Sequence, residues 1–185
     1  MSVNPSPVIT ATRLWVQRFV TDLELCPFAQ HAVRAERLRF THSDARSAEE
    51  LLQALQDELQ LMQAQPEIET SLLIHPGVLQ DFEDYNQFLD LADALLEDLE
   101  LDGIFQVASF HPQYQFAGTQ PEDAENFSNR SPYPLLHILR EDSLDRAIAT
   151  YPDVDQIPER NIARMNALGA ERLRQLWQSC FNLEA

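Results

Sequence analysis

The feature that most constrains the fold is an alternation of two hydrophobic periodicities over residues 37–111. Segments 37–42, 70–75 and 104–111 are predicted strands, the first because apolar and polar residues alternate, the others because they are short apolar runs. Between them, apolar residues recur at the three-to-four spacing of amphipathic helices. This order of elements favours right-handed crossovers and parallel pairing. We therefore expect an α/β fold with about four strands in a mostly parallel or mixed sheet.

Capping signals and prolines mark the ends of the predicted helices. The sequence Ser-Ala-Glu-Glu at 47–50 is a capping box for a helix that runs to about residue 64, and Asp81 caps the next helix. The remaining predicted elements are a helix over 8–25 ended by Cys26-Pro27, a strand of undetermined direction over 135–140, a short helix from Ser143 to Tyr151, and a helix that starts at Pro158 and stops or bends at Gly169 before a last helix.

Length and composition limit the number of domains and the location of the protein. Of the 185 residues, 44% are hydrophobic, which is enough for one core, so we expect residues 1–185 to form a single globular domain. No apolar run reaches the length of a membrane helix, and the first residues lack the basic start and cleavage site of a secretory signal. We therefore expect a cytoplasmic protein in which Cys26 and Cys180 are reduced thiols.

The formal net charge of -17 is concentrated in the middle of the chain. Residues 41–102 hold one arginine against 16 acidic residues, whereas residues 1–40 carry a small positive excess. Such a surface repels nucleic acids and anionic membranes, because both are polyanions. We therefore expect neither as a partner.

Missing residue types exclude several enzyme classes. All 13 basic residues are arginine, so no lysine can form a Schiff base or contact phosphates as in a P-loop. The four glycines, at 77, 103, 118 and 169, do not form the glycine-rich turn of a dinucleotide site. Pyridoxal-phosphate lyases and P-loop NTPases are thereby excluded.

Three of the five histidines, His42, His75 and His111, each end a predicted strand. If the strands run parallel, their ends share the edge where open α/β sheets bind ligands. We predict His111 and His75 as acid/base or metal-binding residues; the structural alternative is that each only satisfies a backbone carbonyl. His137 lies in the middle of a predicted strand and is interpreted as a satisfied core histidine.

The segment 112–134 has neither periodicity, and loops of this length in compact domains are usually functional or disordered. The guanidinium fork of Arg130 matches a carboxylate or a phosphate. Arg140 is a second possible cation, or it pairs with a neighbouring acid. We predict that a small anionic molecule binds here, with these ligand-binding residues: Arg130, Asn126, Asn129, Ser131 and Tyr114.

Cys26 is a possible nucleophile. At the end of the helix predicted over 8–25 it would face the negative end of the helix dipole, which raises a thiol pKa. A packed small hydrophobic side chain is the alternative interpretation.

Several stretches of the sequence are distinctive as motifs. They are "LCPFA" (25–29), "HPQYQFAG" (111–118), "NRSPYPLLHILRE" (129–141) and "IPERN" (157–161). In these stretches the chain resembles an uncharacterised bacterial family, domain of unknown function fourteen-fifteen. The resemblance spans most of the chain and implies a bacterial source. It implies no reaction, cofactor or catalytic residue.

Three functions fit these residues. The leading hypothesis is an enzyme or binder of a small anionic molecule. Arg130 and the loop asparagines would bind the anion, and the strand-end histidines would be the reactive groups. The second is a non-catalytic interaction module whose aromatic loop 112–134 docks a protein partner or a second subunit in a homodimer. The third is a metal-dependent hydrolase, with the metal unknown.

Overall fold

A four-stranded mixed sheet lies at the centre of the structure, which is a computed structural model and describes residues 6–182. The strands are β1 (Leu38–His42), β2 (Thr70–Ile74), β3 (Phe105–Phe110) and β4 (Leu135–Arg140). Their order in the sheet is β1-β2-β4-β3. The predicted α/β class with a four-stranded mixed sheet is confirmed.

The three strands that were predicted to run the same way do so. β1 pairs with β2 in parallel, and β4 pairs antiparallel with both β2 and β3. β4 therefore lies between β2 and β3. These two strands are consecutive in the sequence but do not pair with each other in the sheet. Only one of the three pairings is parallel.

Seven helices accompany the sheet between residues 6 and 182. They are α1 (Pro7–Trp15), α2 (Pro27–Arg34), α3 (Ala48–Ala64), α4 (Phe82–Asp98), α5 (Glu141–Thr150), α6 (Ile157–Leu168) and α7 (Ala170–Ser179). None of these helices is long and apolar enough to cross a membrane. A π-helix over Val16–Thr21 follows α1, and short 3-10 helices lie at Ala124–Ser128 and Val154–Gln156.

Both predicted helix caps are present. The Ser47 hydroxyl accepts a hydrogen bond from the Glu50 amide at 3.2 Å. A carboxylate oxygen of Asp81 accepts one from the Glu83 amide at 2.8 Å. These side chains satisfy amide groups that have no partner within the helix, which is why α3 and α4 begin where the sequence predicted.

The two faces of the sheet carry different layers. Leu73, Leu136 and Ile138 pack into a core with α3 and α4. On the opposite face, Leu72, Ile74 and other buried residues pack against α1, the π-helix, α6 and α7. Because side chains alternate along a strand, neighbouring residues of β4 belong to opposite layers.

A helix is present where one was predicted over 8–25, but it ends earlier than predicted and includes a π-helical segment. The helical segment ends at Thr21, and a second helix, α2, begins at Pro27 with Cys26 as its N-cap residue. A Cys-Pro pair is compatible with the end of one helix or the start of the next, because proline is favoured at the first helical position. Cys26 consequently lies at the positive end of a helix dipole rather than at the negative end that the sequence predicted.

Candidate functional site

The strand-end histidines share one edge of the sheet, and the structure brings two of them together. The rings of His75 and His111 both contact the ring of Tyr85, with centroid distances of 5.9 and 5.0 Å. His42 lies apart on β1, where its ring faces Ser6 and Asp44.

His111 is held by backbone groups at both ring nitrogens. Its Nδ1 accepts a hydrogen bond from the Gln113 amide at 3.0 Å, and its Nε2 donates to the Leu79 carbonyl at 3.1 Å. These two contacts define a neutral ring with the proton on Nε2. The side chain is fully buried, and burial lowers its pKa.

His75 is also buried, but only one of its ring nitrogens has a partner. Nδ1 donates to the Val78 carbonyl at 3.2 Å, whereas no described residue bonds to Nε2. Burial lowers the pKa of His75 to about 4, and the nearby His111 acts in the same direction. Neither histidine lines the two cavities described below. Their reactive role stays a prediction.

Three predicted ligand-binding residues of the loop direct their side chains to the loop and its neighbours. Asn126 and Ser131 are fully buried, and both amide atoms of Asn129 are hydrogen-bonded. The partners are Phe116, Thr119 and Gln120 for Asn126, Ser109 and Ser128 for Asn129, and Tyr133 for Ser131. The contact of Asn129 with Ser109 connects the loop to β3, and the contacts of Asn126 and Ser131 lie within the loop.

Arg130 lines a shallow depression of about 490 Å³ on the surface. Its guanidinium donates to the carbonyls of Tyr114 and Pro121, at 3.0 and 2.7 Å. Burial lowers its pKa. The depression also contains Asp81 and Glu83, whose carboxylates oppose an anion.

The arrangement of ionisable residues bears on the metal hypothesis. Within residues 6–182, no group of three or more His, Cys, Asp or Glu side chains is placed to hold a metal ion. His42 lies apart from the pair that meets at Tyr85, so the three strand-end histidines do not converge on one point.

A larger cavity, of about 630 Å³, lies on the sheet face opposite α3 and α4. We call it the sheet cavity. Its floor includes Leu72, Ala108 and Leu139 from three strands, α2 and α5 form its walls, and the buried Trp15 lines it as well. Phe28 of α2 and Tyr151, just after α5, touch edge to face at 5.8 Å, so the two walls meet.

His137 projects from the floor of the sheet cavity. Its Nε2 lies 2.6 Å from the hydroxyl of Thr70. No other described group bonds to the ring, so Nδ1 is an acceptor available to a molecule in the cavity. Burial lowers the pKa of His137 to about 4, which keeps the ring neutral at physiological pH.

Cys26 lines the sheet cavity from the N-cap position of α2. Burial raises the pKa of its thiol, and the backbone amides of Ala29 and Phe28 act in the opposite direction but do not prevail. Cys180 is fully buried in the core beside α7. Of the two thiols, Cys26 is the one that faces a cavity.

α5 is a thin cover. Its residues Leu144 and Ala147 line the sheet cavity, yet none of the ten residues of the helix is buried. An amphipathic helix normally buries its apolar face against neighbours, so the space beneath α5 is incompletely filled.

Sequence reasoning missed this cavity for two reasons. His137 was interpreted as a core histidine. Its sequence neighbours Leu136 and Ile138 do pack into the core with α3 and α4, but strand alternation directs His137 to the opposite face of the sheet, where the cavity lies. The eight-residue helix α2, which forms a wall, was not predicted. The available signal was Pro27 at a helix start, followed by the apolar residues Phe28 and Ala32 on one side.

Comparisons with known proteins give one match. A family model described as "Protein of unknown function (DUF1415)" matches residues 7–175. No curated protein and no solved structure matches the chain. The matched region contains every strand, the walls of the sheet cavity and the predicted loop site. The chain therefore belongs to the family of proteins of unknown function DUF1415.

Proposed function

We propose that this protein binds a small, mainly apolar molecule in the sheet cavity. The observation that carries the proposal is a cavity of about 630 Å³ with an apolar wall and one neutral histidine that presents a free acceptor. Ligand pockets usually fall between about 300 and 1,000 Å³ and combine an apolar lining with a few placed polar groups. A ligand with one hydrogen-bond donor would satisfy Nδ1 of His137.

The π-helix supports the same location. Val16 and Val20, both in the π-helical segment, line the sheet cavity. π-Helices are rare and occur frequently at functional sites. The wider turn shapes the inner wall of the cavity, where a regular α-helix would direct its side chains differently.

Filling the cavity from α5 tests the proposal. Ala147 faces the cavity, whereas Ala149 lies on the same helix, is exposed and does not line it. Ala147→Trp should weaken the saturable binding of Nile red, an uncharged apolar dye, by at least about tenfold. Ala149→Trp, the matched control, should bind like the wild type. Equal affinity of Ala147→Trp and the wild type, or no saturable binding by the wild type, would contradict the proposal.

The other expectations from the sequence stay predictions. The loop site for an anion is tested by Arg130→Ala, which should abolish anion binding if Arg130 grips the ligand. A homodimer through the aromatic loop is tested by light scattering of Tyr133→Ala, although Tyr133 already packs on Phe181 at 5.8 Å within the chain. The absence of nucleic-acid partners rests on the acidic composition. A cytoplasmic location stays a prediction as well.

A further inference from the structure

We propose that the ligand of the sheet cavity is an amphipathic acid, whose apolar body lies on the sheet and whose carboxylate binds Arg146 of α5. The inference rests on the proposed function and names the class of ligand. It depends on the charged side chains that line the cavity, which include two arginines and one glutamate in a chain of net charge -17.

Few acidic residues line the sheet cavity, although the protein as a whole is strongly acidic. The chain carries 30 acidic residues, but Glu69 is the one carboxylate among the residues that line the cavity. Glu69 pairs with Arg37 at 2.7 Å, so its charge is compensated. A bound anion therefore meets no unpaired carboxylate in the cavity wall.

Arg146 is the cation that is available to such an anion. It lines the cavity, is exposed to solvent, and forms no ion pair with a described residue. Its guanidinium donates to the Ser143 hydroxyl at 3.0 Å, and Ser143 lines the cavity as well. The two side chains place a charged fork and a hydroxyl together at the solvent side of an apolar space.

Arg140 does not compete for this role. It also borders the cavity, but its guanidinium donates to the carbonyls of Met62 and Ile68 on the other side of the sheet. It also lies over the Phe105 ring, at 4.9 Å. Its contacts are therefore with the α3 and α4 layer.

Because Arg146 belongs to α5, binding of a ligand to Arg146 would also stabilise this helix. α5 has no buried residue, and Arg146 and Leu144 belong to it. An acid with an apolar chain would fill the space under Leu144 while its carboxylate holds the guanidinium, so that both ends of the ligand stabilise α5 in place. A neutral molecule of the same shape would gain the first contact without the second.

Calorimetric titration with decanoic acid and with decanol at neutral pH tests the inference. We expect the wild type to bind the acid about tenfold more tightly than the alcohol, because a charge-assisted contact is stronger than a neutral one. Arg146→Gln should abolish this preference, because glutamine offers the carboxylate no opposite charge. The control Arg34→Gln removes an exposed arginine of α2 that does not line the cavity, and it should keep the preference.

The outcomes separate the two proposals. Equal binding of acid and alcohol by the wild type, or a preference that survives Arg146→Gln, would overturn the inference and leave the cavity as a binding site for apolar molecules. Failure of both compounds to bind the wild type would overturn the proposed function, and the inference with it. A preference lost equally in Arg34→Gln would show that net charge, not Arg146, selects the acid.

Discussion

The hydroxyl of Thr70 lies 2.6 Å from Nε2 of His137 and connects β2 to the ring on β4. The same hydroxyl donates its only proton to the Ile138 carbonyl at 2.8 Å. Nε2 of His137 must therefore carry the proton that Thr70 accepts, which leaves Nδ1 as the unprotonated acceptor. One buried threonine thus selects the tautomer that faces the sheet cavity.

Replacing Thr70 with valine should remove this selection. Valine keeps the shape of threonine but leaves Nε2 of His137 without a partner, so we expect a loss of about 1–3 kcal/mol in the free energy of unfolding. Urea unfolding measures the loss, and nitrogen NMR of His137 reports the tautomer. An unchanged tautomer in Thr70→Val would contradict the assignment.

Stability should fall as the solution is acidified through the range in which the buried histidines titrate. The folded-state pKa values of His75 and His137 are about 4, below the ordinary value of 6.5, so both rings bind protons more weakly when folded. Their contribution is complete above about pH 6.5, is lost as the pH falls towards 4, and changes no further below that. The loss is at most roughly 3 kcal/mol for each ring.

A single substitution isolates one histidine in this pH dependence. His137→Met should reduce the difference in unfolding free energy between pH 7 and about pH 4.5, because methionine has no proton to bind. Leu139→Met, on the same strand and lining the same cavity, is the control and should keep the full difference. Identical pH profiles for the two variants would show that His137 is not a source of the acid sensitivity.

Glu58 should contribute to stability although it does not line the sheet cavity. Its buried Oε1 accepts hydrogen bonds from Arg39 at 2.8 Å and Ser71 at 2.5 Å, and Arg39 supplies the opposite charge. Glu58→Gln should lower the free energy of unfolding by about 1–2 kcal/mol, since the amide oxygen is a weaker acceptor than the carboxylate and the partly exposed Arg39 loses its opposite charge. The adjacent exposed residue offers a control, and Asp57→Asn should change stability by less than about 0.5 kcal/mol.

The reactivity of Cys26 distinguishes a nucleophile from a packed thiol. Because burial raises its pKa, alkylation by iodoacetamide should be slow at neutral pH and should accelerate only above the usual thiol range. The rate is followed by mass spectrometry, with a Cys180→Ala background to isolate the site. A midpoint below the usual range would instead support the nucleophile hypothesis.

His111 should behave as a structural residue as well as a candidate reactive one. Its ring connects the Gln113 amide to the Leu79 carbonyl, so His111→Ala would leave both groups without their partner. We expect a loss of about 2–4 kcal/mol in the free energy of unfolding, measured in urea. A fully stable His111→Ala protein would favour the catalytic interpretation that the sequence suggested.

Local patterns along the chain were enough to predict most of the elements. The strand over 135–140 has the predicted bounds, and Ser47 and Asp81 cap the helices that they were expected to cap. These features depend on a residue and its near neighbours, because periodicity and capping act within a few positions. The common direction of β1, β2 and β3 followed from the helices between them.

Long-range packing decided the candidate site. Nothing in the sequence placed β4 between β2 and β3, yet that position sets His137 beside Thr70, which is 67 residues away along the chain. The same packing buried His75, His111 and Asn126 and left an apolar space under α5. Strand order and cavities depend on how whole layers fill volume, and hydrophobic periodicity records only which side of each element is apolar.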